Sequence, residues 1–116
     1  MKRLIPVILI LILISAPVCA DDLQDDLDPV SRFKLWEPRA EKGGKVAQHI
    51  LGSFYENGHG APQDYVQAHK WFNIASMNGD GDYRKSRDNV QKLMTPAQIA
   101  EAQKLAREWV EEHGKE

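Results

Sequence analysis

One cysteine, Cys19, is all the sulfhydryl chemistry that this sequence of 116 residues contains. A single thiol can build neither a disulfide framework nor a cysteine-rich zinc site. Basic surplus is missing too, with 15 Lys and Arg against 17 Asp and Glu and a formal net charge of −2. That balance argues against a nucleic-acid partner, which calls for a basic stripe. There is no convincing run of alternating apolar and polar residues, so no strand is expected. A phosphate loop is absent as well, because Gly58 and Gly60 follow no strand and precede no Gly-Lys-Ser/Thr. The histidines are His49, His59, His69 and His113, with no His-x-x-x-His pair among them. His59 falls in a glycine turn, and His69 is expected on a helix exterior. Structural zinc wants four convergent ligands, so neither metal nor cofactor is expected. The length leaves room for one small domain.

What the sequence does have begins at its amino end. Met1-Lys2-Arg3 is basic, Leu4 to Ile14 is almost purely Leu, Ile and Val, and Ser15 to Ala20 brings small residues. This is the order of a secretory signal peptide, which assigns residues 1–20, with Val18 and Ala20 suited to a cut after Ala20. Two alternatives stay open. Uncleaved, Leu4 to Ala20 is near the low edge of the roughly 17–25 residues that span a bilayer, with Pro17 against a continuous helix. Lipidation at Cys19 would also place the protein on a membrane. Cleavage after Ala20 would leave a periplasmic or secreted chain with no cysteine, and loss of Lys2 and Arg3 would take the net charge from −2 to −4. Residues 21–28, with five aspartates, read as an acidic, disordered leader.

Residues 29–116 read as an all-α domain of about five helices. Trp36, Ala40 and Gly44 recur as Trp71, Ala75 and Gly79 at a constant offset, a period typical of stacked helix-turn-helix repeats. Val46, Ala47, Ile50, Leu51, Phe54 and Tyr55 share one helical face, and Gly58 stands where a left-handed cap is wanted. Tyr65, Ala68, Trp71, Phe72 and Ala75 make a second face. Asp64 and Gln67 supply a capping box for it, and Gly79 is placed to end it. Val30, Phe33 and Trp36 mark a short upstream helix that Pro38 is expected to break or kink. Tyr83, Val90 and Leu93 form a weaker stripe. Thr95-Pro96-Ala97-Gln98 is a strong start signal for a last helix.

The central segment resembles the Sel1-like repeats, relatives of the tetratricopeptide repeats. The resemblance rests on Ala47, Leu51-Gly52, Tyr55, Gly58-His59-Gly60, Asp64-Tyr65, Ala68, Trp71-Phe72, Ala75 and Gly79, in family order and at family spacing. It covers one full repeat. Ser31 to Gly44 is similar to the second helix of a preceding repeat, and Asp80 to Leu93 to the first helix of a following one, without its Leu-Gly and tyrosine. The implied fold is a short α-solenoid of helix-turn-helix repeats, about one full repeat with flanking capping helices.

The resemblance implies a non-enzymatic protein-protein interaction module, an adaptor or scaffold of the bacterial cell envelope that binds a protein or peptide. The first helix of each pair would line the binding groove, which nominates Gln48, His49, Ser53 and Glu56 as exposed contact residues, with His59 beside them. An alternative is a periplasmic inhibitor or immunity protein directed at one envelope-active enzyme. Enzymatic readings have less behind them. Ser31-Arg32-Phe33-Lys34 matches the Ser-x-x-Lys of penicillin-recognising enzymes, but Ser-Asp-Asn and Lys-Thr-Gly are missing. Cysteine-rich relatives in the family have been called β-lactamases, and their cysteine framework is missing here. Asn78 to Asp82 starts like a calcium loop, but Tyr83 and Asn89 stand where the glycine and glutamate belong.

Overall fold

The computed structural model describes residues 27–77 and 81–114. The signal segment, most of the acidic leader and Gly79 lie outside the described residues. Among the described residues five helices follow one another: α1 (Pro29–Glu41), α2 (Lys45–Asn57), α3 (Tyr65–Ser76), α4 (Gly81–Gln91) and α5 (Pro96–His113). They pack as a short all-α solenoid. α3 is the hub, in contact with α2, α4 and α5, while α1 covers the other side of α2.

The helix ends follow from local chemistry. Asp28, read with the leader, is in fact the N-cap of α1. Its carboxylate accepts from the Ser31 amide at 3.3 Å and from the Ser31 hydroxyl at 2.6 Å. The hydroxyl bond, then the amide bond, lowers the Asp28 pKa. α1 does not stop at Pro38. The proline forfeits a bond to the preceding turn, but the final turn is tied from the other side. The amides of Lys42 and Gly44 donate to the carbonyls of Pro38 and Arg39. At α5, Thr95 and Gln98 complete the capping box in both directions. At α3 the box is half made. Asp64 accepts from the Gln67 amide at 3.1 Å, while its own amide donates to the Tyr55 carbonyl at 2.9 Å. The connection to α2 thus takes the donor that the Gln67 side chain would have used.

The turn between α2 and α3 is built on two glycines. Gly58 (φ 71°) is the left-handed cap of α2, and the amides of Gly58 and His59 both donate to the Phe54 carbonyl. These two hydrogen bonds to one carbonyl close the helix end. Gly60 (φ 79°) lies so near the Pro29 carbonyl and Phe33 that a Cβ would collide with both. The turn therefore packs on α1 as well as reversing the chain.

Packing explains the small residues. A Cβ on Gly52 would sit 2.6 Å from Phe72 Cε1 and 3.2 Å from the Ala68 carbonyl, so α2 and α3 touch almost backbone to ring. Ala40, Ala47, Leu51, Trp71, Ile74 and Ala106 make one buried cluster, edged by Phe33, Trp36, Tyr55 and Trp109. Ala68, Phe72 and Val90 make a second one on the α4 side. Three residues read as apolar helix markers, Val30, Val46 and Leu93, are exposed, and Leu93 falls in the turn after α4.

Gly52→Ala is expected to destabilise the fold. Forcing a methyl against a buried ring costs about 1–3 kcal/mol, partly offset by the better helix propensity of alanine, up to about 1 kcal/mol. Thermal melting followed by circular dichroism should show a midpoint several degrees lower. An unchanged midpoint would show that the two helices are not in close contact there.

Candidate functional site

The five residues nominated as contacts do not form one surface. Gln48 departs most from expectation: it is 1% exposed, with its Nε2 donating to the Ala40 carbonyl at 3.2 Å. The closing turn of α1 leaves that carbonyl within reach of α2, and Gln48 is drawn inward to meet it. His49 is half-buried, its Nε2 2.8 Å from Ser86 Oγ and its ring packed against Phe72 and Tyr83. It joins α2 to α4. Ser53 is also half-buried and its hydroxyl donates to the His49 carbonyl. Glu56 is half-buried, and its backbone carbonyl accepts from Gln63. Of the five, only His59 is exposed.

His69 is another departure. The helical pattern puts it outside α3, yet it is completely buried and bonded through Nε2 to Gln91 Oε1 at 2.9 Å. The reason is α4, which lies over that side of α3. The repeat residues Ala47, Leu51, Gly52, Ala68, Trp71, Phe72 and Ala75 are all buried at the centre. Tyr55 and Tyr65 are half-buried beside them, and Asp64 is the cap.

Ser31 serves the N-cap of α1. Its hydroxyl donates to Asp28 Oδ1, and Lys34 stands exposed. Among the described residues no group of three or more His, Cys, Asp or Glu is placed to hold a metal ion. No described helix is long and apolar enough to cross a membrane.

A concave feature lies where no motif pointed. The carboxyl ends of α1, α3 and α5 converge around a cleft of about 480 Å³, within the usual range for ligand sites. Ile74, Met77 and Val110 give it apolar walls, and Gln48 reaches it from α2. Glu41 Oε2 accepts from Trp109 Nε1 at 2.9 Å and lies 3.6 Å from His113 Nε2. The His113 ring stacks on Trp109 with centroids 4.1 Å apart. His113 Nδ1 lies 2.8 Å from the Trp109 carbonyl, an acceptor, so Nδ1 is the donor of that bond. Glu41 and Trp109 are far apart in sequence, and no local pattern joins them. The one available signal was Trp109 itself, a tryptophan on a terminal helix with a face to fill.

Residues 45–80 match the family model for the Sel1 repeat. Over 50 residues the chain is 44% identical to the ERAD-associated E3 ubiquitin-protein ligase component HRD3B of Arabidopsis thaliana, covering 42% of this chain and 8% of that protein. A solved structure is also similar: c5321, a protective antigen present in uropathogenic Escherichia coli strains, displaying an SLR fold. It superposes with a TM-score of 0.70 at 32% identity, over 74% of this chain and 19% of that one. The chain thus spans less than a tenth and about a fifth of these two proteins.

Burial of His69 makes a pH prediction. Burial, chiefly, lowers its pKa in the folded state; Arg87 adds to the shift and the Gln91 bond opposes it. The unfolded chain then binds the proton more readily, so stability is full above pH ~6.5 and falls as the pH drops below it. Urea unfolding at pH 7.5 and 5.5 should give a lower midpoint at the acid pH. His69→Gln should reduce that difference, and an undiminished difference would assign the acid sensitivity to other groups.

Proposed function

Because this chain carries a Sel1-like repeat, we propose that it is an exported protein-protein interaction module of the bacterial cell envelope. Proteins built on this repeat are interaction modules, and repeat stacks bind through extended surfaces with few chemical groups of their own. The observation that carries the reading is the match over residues 45–80, with its conserved-spacing residues committed to packing α2 on α3. Those side chains hold shape and leave the outer surfaces to recognition. Export is supported by the order of basic, apolar and small residues over 1–20, and a bacterial setting by the likeness to c5321. The role is adaptor or scaffold, without a catalytic step.

Affinity capture from an envelope extract, read by mass spectrometry, tests both halves. A specific protein should be enriched by the wild type and lost with Trp71→Ala, which removes a core ring at about 3–5 kcal/mol. The captured bait should begin at Asp21. Enrichment of nothing above background would overturn the module reading, and a different first residue would overturn the cleavage.

A further inference from the structure

α4 is the most polar of the five helices, and Val90 alone among its 11 residues is fully buried. Its hold on the fold is correspondingly thin. Val90 sits with Ala68 and Phe72, and the Tyr83 ring lies against that of His49. The other ties are polar. Ser86 Oγ is 2.8 Å from His49 Nε2, Arg87 donates to Asn73 Oδ1 at 3.4 Å, and Gln91 Oε1 is 2.9 Å from His69 Nε2.

Two of these ties end on histidines, and the two respond differently to a proton. His49, on α2, can be protonated without losing Ser86. A hydroxyl accepts as well as donates, and the Ser86 hydrogen can turn to the Asp82 carbonyl, 3.3 Å away. His69, on α3, has no such freedom. An imidazolium is a donor at both ring nitrogens. Nε2 has Gln91, but Nδ1 is buried with no hydrogen-bond partner. The shortfall is the same whichever nitrogen holds the proton in the neutral ring. An unpaired charged donor in the core costs more than a neutral one. Burial is the main force against charge at His69; the Gln91 bond favours it, Arg87 opposes it and Asp88 favours it. Arg87 and Asp88 both stand on α4, where they pair with each other at 3.0 Å.

From this geometry we infer that α4 is a proton-released cover: protonation of His69 detaches it from α3 and uncovers Ala68 and Phe72, while α1, α2, α3 and α5 stay packed. His69 cannot reach water by moving its own helix, because α3 is held by α2 and α5 as well. α4 is the element that yields. Once detached, a polar helix of 11 residues is too short to hold its own backbone bonds, so release is local unfolding. The device rests on the packing of α4 and not on the module reading, and its failure would leave that reading standing.

Amide hydrogen exchange at pH 7.5 and 5.5, corrected for the intrinsic pH dependence of exchange, tests it. An exposed histidine titrates near pH 6.5, so opening of α4 should be up to about tenfold more frequent at the acid pH. Local opening of α1 and α5, which leaves His69 buried, should stay within twofold. His69→Gln should bring the α4 ratio close to one. Val90→Ala should raise α4 opening at both pH values and keep the ratio, which separates the anchor from the switch. If His69→Gln melts early, the wild type carries the test alone: α4 opening should climb with falling pH only below about 6.5. No rise in α4, an equal rise in α1 and α5, or a rise that persists in His69→Gln would overturn the proposal.

Discussion

The approach of α2 to α3 at Gly52 governs the rest of this structure. With no side chain at Gly52, the Phe72 ring reaches the α2 backbone. Leu51 and Trp71 then fall into one buried cluster, and Phe72 into a second. A bulkier residue would push the helices apart and open both. The other three described helices pack onto the pair so formed. α1 lies along α2, α4 covers His69 and Phe72, and α5 covers Trp71. One repeat cannot bury its own faces, and the flanking helices supply the missing cover.

That dependence explains which features were legible in the sequence. Helix ends were, because caps act over three or four residues: Asp64, Thr95 and Gly58 each do what their local context demands. The core of the repeat was legible because its small and aromatic residues keep a spacing that only close helix packing requires. Pro38 was misleading because the bonds that extend α1 come from the turn after it. His69 and Gln48 were misleading for a different reason. Helical periodicity sorts residues by one buried face, but α3 is covered by α2, α4 and α5, and α2 by α1 and α3, so polar residues on both find partners inside. His69 meets Gln91, and Gln48 meets Ala40 from the neighbouring helix.

The cleft was illegible because it belongs to no element. Glu41, Trp109 and His113 stand at the ends of two helices far apart along the chain, and they meet only when α5 folds back over α3. The repeat residues at the centre maintain the frame, and the cleft forms where the ends of α1, α3 and α5 converge.

Native-state hydrogen exchange tests most directly whether α3 is the hub. Amides of α3, with those of the α2 face around Leu51 and Gly52, should exchange slowest, at the free energy of global unfolding. Those of α1 and α5 should open at lower free energy. Greater protection in α1 or α5 than in α3 would contradict the hub and place the organising contact elsewhere in the chain.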